Sequence, residues 1–220
     1  MNSDFLSFRE RFPEFVYDGY SVVETNEGIL LKFDFSVPGL CEFHPKTLIV
    51  TDNLEIANDP FSEYADRMVF SLGMAEAVSY WKAACSPVFR VKCGELDSEQ
   101  IHWWKKLWYL GLGELFFVNG IKADFDSFVN MEAVGSFDSS LKETDRKPDG
   151  CLVPIGGGKD SALTLETLVN AGMKCRCYSI NKRRSIIDTV TAAGLSEDAL
   201  IISQRHFDRS LIELNNKGYI

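Results

Sequence analysis

The stretch Cys151-Leu-Val-Pro-Ile155-Gly-Gly-Gly-Lys-Asp160-Ser161 constrains the fold of this chain more than any other. Five mostly apolar residues predict a short buried strand. Three consecutive glycines then turn the backbone, and Asp160 and Ser161 open a helix with Leu165, Leu168 and Val169 on one face. Strand, glycine turn and helix N-terminus together form a phosphate-holding geometry. The glycines let backbone N–H groups approach an anion, and the first helical N–H groups and the helix dipole point at it. Lys159 adds a point charge beside it. The bland alternative is a plain glycine-rich turn in which Asp160 and Ser161 only cap the helix.

The glycine pattern separates several known loops. A Walker A loop runs Gly, four residues, then Gly-Lys-Ser/Thr. Here Gly158-Lys159 is followed by Asp160, and Val153 stands where the first glycine belongs. A dinucleotide fingerprint needs Gly-x-Gly-x-x-Gly, and its third glycine would fall on Ser161. Residues 156–161 read Gly-Gly-Gly-Lys-Asp-Ser. This resembles the Ser-Gly-Gly-x-Asp-Ser loop of the PP-loop ATP pyrophosphatases, with Gly156 in place of the first serine. That resemblance implies cleavage of ATP to AMP and pyrophosphate, usually to adenylate a substrate.

Charge narrows the partners. The chain carries a net charge of −9 over 220 residues, whereas a nucleic-acid binder usually shows a basic excess. The run Lys182-Arg183-Arg184 is the local exception; it reads as a solvated loop or as a clamp for a small anionic substrate. No apolar run approaches the roughly 20 residues of a membrane-spanning helix. The N-terminus, Met1-Asn-Ser-Asp-Phe-Leu, lacks the basic and apolar regions of a signal peptide. The six cysteines form no Cys-x-x-Cys, and the three histidines lie near no cysteine pair. We therefore expect reduced cysteines, no structural zinc and a cytoplasmic protein. Cys175 and Cys177, two apart on a strand, would share one face.

Along the chain, Phe5, Phe8, Phe12 and Phe15 suggest a helical arm broken by Pro13. Tyr20–Glu24 and Ile29–Phe35 alternate around Asn26-Glu27-Gly28, a hairpin pattern. A third strand is expected over Phe43–Val50. The spacing predicts a long helix over Ser62–Ala84 with Met68, Leu72, Ala75 and Val78–Tyr80 on its apolar side, stopped by Pro87. A strand over Phe89–Cys93 follows, then a helix capped by Ser98 and carrying Trp103, Trp104, Leu107 and Trp108. The polar residues 134–150 read as a linker. Beyond the glycine loop, helix, strand, helix, strand and helix alternate to the end, implying a parallel sheet. The expected fold class is α/β: an N-terminal α+β domain over 1–148, then a doubly wound parallel-sheet PP-loop domain over 149–220. Ligands in such sheets sit at the carboxyl ends of strands. That gathers Gly156, Gly157, Gly158, Lys159, Asp160 and Ser161 with Ser179 and Asn181, the triphosphate on the loop and the adenine or ribose near the strand end. Seventy residues supply few strands for such a domain, so a longer protein or a partner chain, including a second copy, is expected to complete the sheet.

Several blocks point to one family. Residues 73–87 read Gly-Met-Ala-Glu-Ala-Val-Ser-Tyr-Trp-Lys-Ala-Ala-Cys-Ser-Pro, residues 111–120 read Gly-Leu-Gly-Glu-Leu-Phe-Phe-Val-Asn-Gly, and the loop continues into Ala-Leu-Thr-Leu-Glu166. From about residue 40 onward this ordering is similar to the UDP-N-acetylmuramoyl-L-alanyl-L-glutamate epimerases, whose members are about twice as long. The resemblance implies ATP and Mg²⁺ as cofactors and a UDP-linked muramoyl dipeptide as substrate, epimerised at its terminal glutamate for peptidoglycan synthesis. It implies catalytic roles for Lys159, on developing phosphate charge, and for Asp160, holding the metal. Candidates for the epimerising base are Lys82 and Cys85 first, then His44, His102 and His206; each is individually more often structural. Competing readings are another PP-loop ligase or thiolation enzyme, and a subunit that binds ATP without cleaving it.

Overall fold

The computed structural model describes residues 3–51, 62–137 and 149–219. Most of the stretch read as a linker, residues 138–148, lies outside the described residues. Helix α1 (Ser3–Arg11) ends before Pro13, which cannot donate an N–H. Strands β1 (Glu14–Thr25) and β2 (Gly28–Val37) form the hairpin. Phe15 thus belongs to a strand and not to the arm. The third-strand segment divides into β3 (Cys41–Phe43) and β4 (Lys46–Val50), with Pro45 between them. Then come α2 (Ser62–Trp81), β5 (Val88–Val91), α3 (Ser98–Gly111), α4 (Gly113–Val118) and β6 (Asn130–Ala133). After the glycine-loop strand β7 (Cys151–Pro154) follow α5 (Lys159–Asn170), β8 (Cys175–Ile180), α6 (Arg184–Ala192), β9 (Leu200–His206) and α7 (Arg209–Asn216).

All nine strands among the described residues belong to one mixed sheet, ordered β6-β5-β1-β2-β4-β9-β8-β7, with β3 on β2. Strands β7, β8 and β9 are parallel. Strand β9 then pairs antiparallel with β4, from Lys46 opposite His206 to Val50 opposite Ile202. The sheet therefore runs unbroken from the first half of the chain into the second.

Two apolar clusters lie on it. The larger packs α1, α2 and α3 against β1, β2 and β5 around Phe15, Tyr17, Phe33, Phe35, Tyr80, Trp81 and Phe89. Leu214 of α7 belongs to it as well. The buried side of α2 differs from the expected one. Met68 is 69% exposed and Leu72 and Ala75 also face outward, while Val69, Phe70, Met74, Ala77 and Trp81 are buried. Helix α2 is apolar on more than one side, so periodicity alone leaves its rotation open; close approach at Gly73 decides it. A Cβ there would stand 1.9 Å from the Tyr17 hydroxyl oxygen. The cap of α3 is corrected too: the Asp97 carboxylate accepts from Gln100 N–H, and Gln100 Oε1 accepts from Asp97 N–H, a reciprocal capping box.

The smaller cluster packs Leu165 of α5 and Ile186 and Val190 of α6 on Val153, Ile155, Cys175 and Cys177. Both helices cover the same face of β7 and β8. On the opposite face, Leu152 is 59% exposed and Ile180 is also open to solvent. A doubly wound sheet carries helices on both faces; here α5 and α6 cover one.

Candidate functional site: the glycine turn and the ends of the parallel strands

The three parallel strands end on one edge of the sheet, and the glycine turn lies there between β7 and α5. Gly157 adopts φ +81°, a left-handed conformation, and a Cβ on it would sit 2.9 Å from Ser185 Oγ. A side chain here would be strained by the backbone conformation and would have to displace the Ser185 hydroxyl. Gly156 and Gly158 have open space where a Cβ would be. Gly158 is the N-cap of α5 in extended conformation and, lacking a side chain, leaves the first-turn N–H groups of α5 without a side-chain cap. Ser161 Oγ donates to the Gly158 carbonyl at 3.0 Å, which braces the turn. Lys159 and Asp160 are exposed in the first helical turn. The backbone here is held from behind and free in front, as an anion cradle requires.

Ser179 and Asn181 lie at the end of β8. Ser179 is buried, with its Oγ 3.5 Å from the Asn181 carbonyl. Asn181 takes φ +62° and donates its N–H to the Ser203 carbonyl at 2.7 Å. A cavity of about 330 Å³ is lined by Gly156, Ser179, Arg183 and Ile186. It brings the loop and the β8 end together. Of the basic run, Lys182 pairs with Glu197 at 3.3 Å and Arg184 with Asp188 at 2.9 Å, while Arg183 lines this cavity. Charge counting alone could not tell Arg183 from its two neighbours. A second cavity, between α5 and α6, is lined by Glu166 and Asp188, the wrong sign for a phosphate.

The base candidates are scattered. His44 Nδ1 lies 2.7 Å from Asp34 Oδ1, and its backbone N–H donates to Asp208 Oδ2 at 2.7 Å. Burial alone would raise the Asp208 carboxyl, but the N–H groups of His44 and Ser210 hold it below its ordinary value. Cys85 is fully buried with φ +50°, and burial pushes its thiol up to about 12. It is protonated at neutral pH and is no nucleophile or base there. His102 is exposed on α3 against the Phe125 ring, and His206 is exposed at the end of β9. Lys82 lines a different cavity, where α2 ends. Cys175 and Cys177 do share a face; both are buried, and burial raises the Cys177 thiol. An accessible thiol pair, as thiolation chemistry would need, is not formed by these two.

Among the described residues no group of three or more His, Cys, Asp or Glu side chains could hold a metal ion. Magnesium is usually bound by one or two carboxylates together with substrate phosphates. Asp160, exposed beside the cradle, fits that partial role. No described helix is long and apolar enough to cross a membrane.

The sequence profile of the MurL N-terminal domain matches residues 7–220. The chain belongs to the MurL N-terminal domain family. It is 28% identical over 213 residues to the UDP-N-acetyl-alpha-D-muramoyl-L-alanyl-L-glutamate epimerase of a Micromonospora species, a match covering 94% of this chain and 45% of that protein. The chain thus spans less than half the length of this curated relative. No solved structure matches it.

Proposed function

We propose that this chain supplies the ATP-phosphate site of an ATP-dependent epimerase. Its substrate would be the terminal L-glutamate of UDP-N-acetylmuramoyl-L-alanyl-L-glutamate, converted to the D-form for peptidoglycan synthesis. The observation that carries this is the open glycine cradle at the N-terminus of α5, with Arg183 and Ser179 around the adjoining cavity. The Micromonospora relative's name supports the substrate. A glutamate α-proton beside a free carboxylate is a poor acid, because its removal adds charge to a group already negative. Adenylating that carboxylate, with release of pyrophosphate, removes the charge and leaves an acyl group able to stabilise an enolate. The proton returns to the opposite face, and hydrolysis frees AMP. In this reading, the loop N–H groups, Lys159 and Arg183 stabilise charge on the phosphates. Asp160 would help hold Mg²⁺, which would supply charge neutralisation at the pyrophosphate oxygens. Ser179 and Asn181 border the nucleoside.

The test incubates the full-length protein with ATP, Mg²⁺ and the UDP-linked dipeptide, following AMP release and the chirality of glutamate after acid hydrolysis. AMP with D-glutamate is expected. Lys159→Ala should lower AMP release by about 100-fold, the scale of one lost charge-stabilising donor, with an unchanged circular dichroism spectrum. AMP without D-glutamate would sink the substrate, and no AMP would sink the adenylation.

A further inference from the structure

A third cavity, of about 520 Å³, lies between the end of α2, the end of β9 and α7. Two cations from opposite halves of the chain meet there, Lys82 and Arg205. Arg205 is already committed. Its Nε donates to both oxygens of Glu76, at 2.8 and 3.1 Å, and its Nη2 donates to Ser79 Oγ at 3.1 Å. Its guanidinium carbon lies 4.1 Å from the centre of the Phe207 ring. Glu76 is only 7% exposed, so its charge cancels that of Arg205 locally. Lys82 is half-buried, and among the described residues its ammonium makes no hydrogen bond or ion pair.

We infer that this cavity binds a carboxylate-bearing ligand, with Lys82 as its cationic contact. One uncompensated positive charge matches one monoanionic group. A phosphate dianion would leave an excess negative charge beside the buried Glu76 carboxylate, which low polarity makes costly. The rest of the lining fits an organic acid. The Ser79 hydroxyl accepts from Arg205 and keeps its own O–H to donate, and the Asn215 amide and Tyr219 hydroxyl add polar groups. Phe207 and Leu211 offer an apolar wall to the carbon skeleton. Arg205, fixed by three hydrogen bonds and a ring, holds Ser79 in place before any ligand arrives, which lowers the ordering cost of binding. The site goes beyond the glycine-loop reading and stands without it.

The probe is glutarate, whose two carboxylates, unlike the two charges of a phosphate dianion, are far enough apart for one to meet Lys82 while the other stays in solvent; it is titrated into the 220-residue chain and followed by backbone amide NMR shifts. Saturable binding is expected, with shifts concentrated at Ser79, Lys82 and Asn215. The uncharged diamide of glutarate should not bind, and inorganic phosphate should not displace glutarate. Lys82→Met, which keeps the aliphatic stem and the melting temperature, should weaken binding at least about tenfold, the effect of one charged hydrogen bond. Lys122→Met, an exposed lysine elsewhere, should change nothing. Binding unchanged in Lys159→Ala separates this site from the glycine turn, so that its failure and the failure of ATP cleavage are read independently. L-alanyl-L-glutamate binding more tightly than glutarate would assign the cavity to the peptide substrate, and equal affinity to a free dicarboxylate; either keeps the site. No saturable binding, wild-type affinity in Lys82→Met, or displacement by phosphate would overturn it.

Discussion

At the residue scale, two positions show how backbone and burial restrict chemistry. Gly157 combines a left-handed φ with the Ser185 hydroxyl 2.9 Å from a would-be Cβ. Gly157→Ala should therefore cost about 1–2 kcal/mol, the penalty of a left-handed non-glycine residue. A shift of the urea midpoint at constant m-value would measure it. The substitution should also weaken ATP binding, because relieving the strain shifts the turn and with it the N–H groups of the cradle. The Cys85 thiol, pushed to about 12 by burial in the folded chain, ionises near its ordinary value of about 8.5 once unfolded. Between those values the unfolded chain binds fewer protons than the folded one. Stability must then fall as pH rises from about 9 toward 12, by at most about 1.4 kcal/mol per pH unit for this thiol. Below pH 8 its contribution is fully present. Urea titrations at pH 8 and pH 10 on the chain and on Cys85→Ala would expose the difference, which should shrink in the variant by the Cys85 share while the Cys93 thiol, also raised by burial, keeps its own. The family-like block over residues 73–87 put Cys85 beside Lys82 among the possible bases; only its depth in the core removes it at neutral pH.

At the element scale, local patterns were legible where a helix or strand has one apolar face. Helix α5 buries Leu165, with Leu168 and Val169 packed beside it, because its pattern admits a single orientation. Helix α2 admits several, and its rotation was settled by Gly73 lying on Tyr17. Helix α3 shows the same limit in its aromatics: Trp104 and Trp108 are buried while Trp103 is 56% exposed. Its N-terminus is held by a reciprocal pair of hydrogen bonds between Asp97 and Gln100. Asp97→Ala should cost about 1 kcal/mol, read as a lower melting temperature. Ser98→Ala, at the position sequence alone favoured as the cap, should leave that temperature nearly unchanged.

At the scale of the whole molecule, the pairing of β4 with β9 makes one sheet of both halves, and the Glu76–Arg205 pair ties α2 to that seam. Breaking a buried pair by removing one partner typically costs about 3–5 kcal/mol, because the other charge is left unmatched. Arg205 keeps some contact with solvent, so Glu76→Ala should fall at the lower end, about 3 kcal/mol, by chemical denaturation. By itself the sequence determined the strand, glycine turn and helix around residues 151–171 and the β–α alternation that follows. These depend on spacing, glycine conformation and helix ends, all set within a dozen residues. It also carried the blocks that identify the family. Only the tertiary structure decided that β9 pairs with β4, that α5 and α6 share one face, that Arg183 and not its neighbours lines the loop cavity, and that Lys82 and Arg205 line one cavity. Each of these joins separate segments, Glu76 and Arg205 across 129 positions. Such contacts arise from the burial of apolar faces, which is non-directional and writes no partner into the local pattern.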